Sequence, residues 1–355
     1  MAHPEVFELP DDVAYFNTAS LAPQLKAVRT AAETALDRRA RPWAIGSADW
    51  FSDVERLREL FAAIVGADAG EIALVPATSY GFATAARNLP CGRVVVLAEE
   101  YPSGIYTWRA AGAELITVSR EPGQSWAGAV EAAVDERVDV VSVPNVHWTD
   151  GSLVDLPRVA AAARAADAAL VIDASQSAGV MPLDVAALKP DFLIAVGYKW
   201  LLGPLGLGYL YADPRHHDGA PIEQNWINRA GSEDFARLVD YRDEYQPGAR
   251  RFDMGQRTSF VLTPMAIAAL TQVLAWGVER IGAELAGVTE RIAAGFGVSA
   301  DRGPHILGIA PAPSAAALAA EGCIAAMRGD SLRISPHLHI TEDDVARLRA
   351  ALERA

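Results

Sequence analysis

Between about residue 50 and residue 212, short runs that are apolar throughout alternate with longer stretches of helical periodicity. The runs are Ile72 to Val75, Arg93 to Ala98, Leu115 to Ser119, Val138 to Pro144, Ala169 to Asp173 and Phe192 to Val196. Strands without polar alternation, spaced by alanine-rich helices, predict a mostly parallel sheet covered on both faces, hence an α/β fold. Ligands of such sheets collect at the carboxyl ends of the strands. Ahead of the first strand, Val54, Leu57, Phe61 and Ile64 share one helical face, Ser52 with Glu55 reads as a capping box, and Gly66 reads as the stop.

Asp213 to Arg251 breaks the pattern with His216, His217, many charges and aromatics, and Pro247-Gly248. This predicts an irregular excursion over the surface or a subunit contact. From Thr263 a helical pattern runs to about Ala286, after which short strands at Ile306 to Ala310, Cys323 to Met327 and Ser331 to Ile334 alternate with helices. The last helix is capped by Thr341 with Asp344, completing a small α+β unit. No internal repeat or low-complexity linker separates it from the rest.

The most apolar stretch, Phe192 to Tyr211, has the length of a membrane span, but Pro204 with Gly203, Gly206 and Gly208 would break that helix. A buried strand, a glycine-rich turn and a second strand fit instead. With 355 residues, 51% of them hydrophobic, the chain can fill one large domain and a smaller appendage. Its net charge of -14 argues against a nucleic-acid partner, which needs clustered lysine and arginine. Cys91 and Cys323, with no CxxC pair, indicate neither a disulfide framework nor a cysteine metal site. Met1 to Asp12 lacks the basic region and apolar core of a signal peptide, so a cytoplasmic location is the expectation.

One polar residue interrupts the apolar stretch: Lys199. Burying an ammonium there is costly unless it is paired, and desolvation pushes its pKa down toward the neutral, nucleophilic amine. The chemistry that uses such an amine is condensation with an aldehyde, as when a protein holds pyridoxal phosphate. That cofactor also needs an acid beside its ring nitrogen, and Asp173, at the end of the run Leu170-Val171-Ile172, falls at the carboxyl edge of a buried strand. Phosphate needs backbone N–H groups and hydroxyls at a helix start, which Pro76-Ala77-Thr78-Ser79-Tyr80-Gly81 supplies between a strand and the helical Phe82 to Leu89. Taken singly, each has an ordinary reading: a snorkelling lysine, a turn aspartate, an N-cap.

Together, Asp173-Ala174-Ser175-Gln176-Ser177-Ala178-Gly179, Asp191-Phe192 and Gly197-Tyr198-Lys199-Trp200 with Gly203-Pro204-Leu205-Gly206 resemble the class V aminotransferase family of fold-type I pyridoxal-phosphate enzymes, which includes cysteine desulfurases and kynureninases. The likeness extends to Tyr15-Phe16-Asn17-Thr18-Ala19, Ser142 to Trp148, Arg251 to Gly255 and Leu332 to His337. It implies a large domain with a mainly parallel seven-stranded sheet between helices (21–254), a small α+β domain (255–355), and an N-terminal segment (1–20) reaching the active site and small domain.

The resemblance further implies that Lys199 binds the cofactor's aldehyde and then shuttles protons, that Asp173 pairs with the ring nitrogen, that Gln176 donates to the ring hydroxyl and that Tyr101 stacks on the ring. Thr78, Ser79 and Tyr198 would hold phosphate, with Gln256 reaching the neighbouring subunit's phosphate and Asn145 near the cofactor. Arg333 is the candidate for the substrate carboxylate, with Asn17, Ser20 and His147 beside the substrate. A homodimer with the site near its interface is expected, acting on a small amino-acid-like substrate.

Transamination is the first expectation. Cys323 sits at a predicted strand start as a buried small hydrophobe, not in the mobile loop a desulfurase requires. A β-eliminating C–S lyase or a kynureninase-like hydrolase is the alternative, since neither needs a cysteine. A catalytically silent binding module is disfavoured by the retention of Lys199, Asp173 and Arg333. No metal site is expected, because His337 and His339 lack a third partner.

Overall fold

The apolar runs become strands of one sheet in a computed structural model that describes residues 2–121, 123–298, 301–311 and 314–354. After a two-residue strand β1 (Ala14–Tyr15) come β2 (Ile72–Val75), β3 (Arg93–Leu97), β4 (Glu114–Val118), β5 (Val140–Pro144), β6 (Ala169–Asp173), β7 (Phe192–Val196) and β8 (Gly208–Ala212). The seven strands β2 to β8 lie in the order β2-β8-β7-β6-β5-β3-β4. β8 runs antiparallel to both neighbours, and the other pairs are parallel.

Successive strand residues enter two different apolar clusters, because side chains alternate across a sheet. Val141, Val143, Leu170, Ile172, Leu193 and Ala195 face one side. Val140, Val171, Phe192 and Ile194 face the other. Burial on both sides explains why the runs show no polar alternation. Only the edge strand β4 is substantially exposed.

Helix Ser52–Val65 buries Val54, Leu57, Phe61 and Ile64 as its period predicts, and Gly66 ends it. The expected capping box is absent. Phe51 occupies the N-cap, Ser52 lies inside the first turn, and Glu55 is taken by the guanidiniums of Arg58 and Arg250. Two cations outcompete one backbone N–H for the carboxylate. At the last helix, Glu342–Arg354, the predicted cap is present: Asp344 accepts from the Thr341 amide at 2.9 Å, and the Asp344 amide donates back to the Thr341 hydroxyl at 3.2 Å.

The helical pattern from Thr263 resolves into two helices, Leu262–Trp276 and Val278–Ala293, bent by 75° at Gly277, whose φ of +83° suits glycine. The first packs on helices Lys26–Arg39 and Ser52–Val65 and gives Ala266, Ala269, Leu270 and Val273 to the large sheet's cluster. By packing, therefore, it goes with the large sheet, although it follows residue 255. Strands β9 (Leu307–Ile309), β10 (Cys323–Ile324), β11 (Ala326–Arg328) and β12 (Ser331–Ile334) follow, with β11-β12-β9 as an antiparallel sheet. β1 pairs with β10, which stitches the N-terminal segment to this smaller unit. Among the described residues no single helix is long and apolar enough to cross a membrane.

A fully buried ion cluster marks where the chain leaves the large sheet. Arg58 donates to Asp253 at 2.8 Å and to the Ile72 carbonyl at 2.6 Å; Asp253 also accepts from the Leu74 amide at 2.8 Å and pairs with Arg257 at 3.1 Å. Removing this carboxylate strands the buried Arg257 and leaves the buried Arg58 with Glu55 as its remaining acidic partner. Asp253→Asn should therefore cost about 3–5 kcal/mol of unfolding free energy, measured by denaturant titration; a change under about 1 kcal/mol would refute the role given to this cluster.

Candidate active site

A cleft lies across the carboxyl ends of the parallel strands, and five of them deliver its walls. Thr78 follows β2, Glu100 and Tyr101 follow β3, Pro144 ends β5, Asp173 ends β6 and Val196 ends β7. Val146, Trp148, Ser175, Gln176, Tyr198 and Lys199 complete the lining.

Sheet register brings the acid and the amine together. Asp173 is paired with Ile194, two residues before β7 ends. The chain then turns at Gly197, whose amide donates to Leu207 at 3.0 Å while its carbonyl accepts from Gly203 at 2.8 Å, and Lys199 sits inside that turn. The loop after Asp173 is locked to the same turn: Trp200 donates to the Gln176 side-chain oxygen at 2.9 Å. Gly179, at φ +92°, approaches so closely that a Cβ there would lie 2.7 Å from the Trp200 carbonyl oxygen. A side chain at 179 would push the two loops apart.

Lys199 makes no salt bridge among the described residues, and its pKa falls to about 8. Burial is the main cause; the attraction of Asp173 opposes it, and the positive fields of Arg333 and Arg328 add to it. Its ammonium nitrogen lies 5.7 Å from the Tyr101 ring centre and 6.0 Å from that of Tyr198. Burial also raises the Asp173 pKa, against the hydrogen bonding of Ser175, whose amide donates at 2.8 Å, and the charge of Lys199. Glu100 goes further, to about 8, through burial, offset by the Tyr101 amide at 2.6 Å and increased by the charge of Asp173. Its second carboxyl oxygen is buried without a partner.

Arg333 is buried, donating to the Trp148 carbonyl and the Ser20 hydroxyl, each at 2.6 Å. Burial and then the neighbouring Arg328 hold its pKa down at about 9. Asn17 bridges to Ser335 just past Arg333 and keeps a buried, unpartnered side-chain oxygen.

The structure does not bring every sequence candidate to the cleft wall. Ser79, in the first turn of helix Thr78–Asn88, is exposed, and Gln256 is exposed on the surface. Asn145 donates behind the wall to the Val154 carbonyl at 3.2 Å. His147 has both ring nitrogens engaged, by the Thr149 hydroxyl at 2.7 Å and the Ala98 carbonyl at 3.0 Å, and stacks on Trp126 at 5.3 Å. Burial holds its pKa down, so it is a neutral core histidine, and its neighbours Val146 and Trp148 are the residues of that loop that reach the cleft. Sequence reasoning missed Glu100, Trp148 and Arg328. Glu100 directly precedes Tyr101, but nothing local announced its burial beside Asp173.

The donor set fits pyridoxal phosphate. Helix Thr78–Asn88 starts with no side-chain cap, leaving N–H groups for an anion beside Thr78. Gln176 uses its oxygen on Trp200 and one N–H on the Ala19 carbonyl at 3.2 Å, leaving a second N–H for a ring hydroxyl.

The family model described as aminotransferase class-V matches residues 44–286. Over 316 residues the chain is 27% identical to an uncharacterized aminotransferase, YcbU, of Bacillus subtilis, covering 84% of this chain and 83% of that protein. A kynureninase of Deinococcus radiodurans is 30% identical over 283 residues, covering 75% and 67%. Among solved structures, the cystine C–S lyase C-DES in complex with cysteine persulfide superposes with a TM-score of 0.85 at 18% identity, covering 96% and 97% of the two chains. The Escherichia coli cysteine desulfurase CsdA gives 0.80 at 18% identity, covering 100% and 98%. These two likenesses show a shared fold.

The raised Glu100 pKa sets a pH signature. The unfolded chain gives up this proton near 4.5 and the folded chain near 8, so the group's contribution to stability falls as pH rises between those values. Glu100→Gln should therefore be more stable than the parent at pH 8.5, with the gain shrinking to nothing below pH 4.5. Denaturant unfolding of the cofactor-free proteins at several pH values checks this; a difference independent of pH would contradict it.

Proposed function

Because the chain belongs to the class V aminotransferase family of pyridoxal-phosphate enzymes, we propose that it transfers the amino group of an amino acid to a keto acid, with Lys199 as the reacting amine. The observation that carries this is the Lys199 side chain, unpaired and lowered to about 8, in one cleft with Asp173 and an uncapped helix start. When bound, the cofactor supplies an aldehyde for the amino group and a ring that draws electrons from the α-carbon.

The protein's part is binding, orientation and proton movement. Lys199 takes up and returns the α-proton at its amine nitrogen. Asp173 holds a proton on the ring nitrogen, Gln176 donates to the ring hydroxyl, and Tyr101 covers the ring face. Thr78, Tyr198 and the helix start hold phosphate; Ser79 and Asn145 support them, and Gln256 serves the partner subunit. Arg333 binds the substrate carboxylate beside Asn17 and Ser20, and His147 holds the Trp148 loop in place. The molecule acts as a homodimer, for which the excursion between residues 213 and 251 offers exposed Val239 and Tyr241, at 74% and 95%.

Neither cysteine supports persulfide chemistry. Cys323 is fully buried in the small unit's core, where burial raises its thiol pKa, and Cys91 lies outside the cleft. A kynureninase-like hydrolysis or β-elimination of a C–S bond needs no thiol, and the 30% identity to a kynureninase keeps it as the second reading.

Borohydride reduction of the cofactor-loaded protein should fix the cofactor to Lys199, with Lys26 and Lys189 unlabelled by peptide mass spectrometry. Lys199→Ala should lose both the visible absorbance band and the label. In a panel of amino acids with a keto acid, amino-group transfer is the expected product signal. Ammonia, sulfide or alanine released without a keto acid would overturn transamination in favour of the second reading.

A further inference from the structure

Arg333 accounts for one substrate carboxylate and leaves a second guanidinium of the same site unused. We propose that Arg328 recognises a second anionic group on the substrate, so that the enzyme selects a short amino acid with an acidic side chain. This rests on the placement of Lys199 and Arg333 proposed above.

Strand pairing produces the arrangement. Arg333 on β12 is opposite Ala326 on β11, and Arg328 lies two residues further along β11, so both arginines project from one face of the hairpin. They converge on one atom: the Ser20 hydroxyl oxygen accepts from Arg328 at 2.8 Å and from Arg333 at 2.6 Å. Arg328 also donates to the Met327 carbonyl at 2.6 Å and lies over the Trp148 ring, 5.7 Å from its centre. That indole lines the cleft, so stacking holds the guanidinium at its edge. The field of Arg328 reaches Lys199 as well as Arg333.

No carboxylate among the described residues pairs with either arginine, although the chain carries 45 aspartates and glutamates. Both Nε atoms are buried without an acceptor. Elsewhere the fold pairs the buried Arg58 and Arg257 with Asp253, and the half-buried Arg250 with Glu55. Two like charges sharing one neutral hydroxyl repel each other, and a single α-carboxylate compensates only one of them. A side-chain carboxylate or sulfinate compensates the other, and each orphaned Nε edge offers the planar fork that such a group engages in two hydrogen bonds.

Calorimetric titration with glutarate and with valerate, which differ only in the second carboxylate, tests this on both the cofactor-loaded and the cofactor-free protein. The parent should prefer glutarate by at least about tenfold. Arg328→Gln should lose that preference while keeping its affinity for valerate, and Arg328→Lys should retain part of it. Equal affinity of the parent for both acids overturns the proposal, and this comparison decides even where a variant fails to fold. Unchanged selectivity in a folded Arg328→Gln also overturns it. Borohydride fixation of the cofactor on Lys199 in the same preparations separates the two readings: fixation without glutarate selectivity removes only the acidic-substrate inference, whereas loss of fixation in the parent removes the reading beneath it.

Discussion

The site turns on the desolvation of one ammonium. Lys199 stands in a cleft whose walls withdraw water without supplying an ion-pair partner, and burial outweighs the attraction of Asp173. The smaller positive fields of Arg333 and Arg328 work in the same direction as burial. The amine is thereby shifted toward its neutral, nucleophilic form near physiological pH. The sheet register that aligns Asp173 with Ile194, and the turn that places Lys199 just past β7, exist in this form because the strands beneath are buried on both faces and cannot slip.

The contrast between scaffold and cleft follows from the same physics. In the scaffold, opposite charges are brought together: Arg58 and Arg257 both pair with Asp253, which also accepts from the Leu74 amide. Around the cleft they are not. Glu100 keeps an unpartnered oxygen beside Asp173, both carboxyl pKa values are raised, and Arg328 and Arg333 share a single hydroxyl. Unpartnered buried groups also occur in the core, as at Arg257 and Tyr209, but those of Glu100, Arg328 and Arg333 lie at or beside the cleft, where a ligand can supply the partner.

Much of this was legible along the chain. Strands buried on both faces write themselves as apolar runs, so β2, β6 and β7 begin and end where the pattern does. A lysine inside such a run and an aspartate at the end of another stand out for the same reason. What escaped depends on distant partners. Ser52 and Glu55 spell a cap, yet Glu55 is claimed by Arg250, 195 residues away. Arg328 joins Arg333 only through the β11–β12 register, which no local period encodes. His147 and Trp148 are adjacent, and chain direction alone does not say which of them turns inward to the core and which outward to the cleft.

The central claim is most directly tested by the proton affinity of Lys199 itself. Competitive labelling of the cofactor-free protein with trace acetic anhydride across a pH series, read peptide by peptide in a mass spectrometer, reports when each amine loses its proton. The account predicts a midpoint for Lys199 near 8. A midpoint at the ordinary lysine value of 10.5 would show that the amine is solvated or paired, and would contradict it.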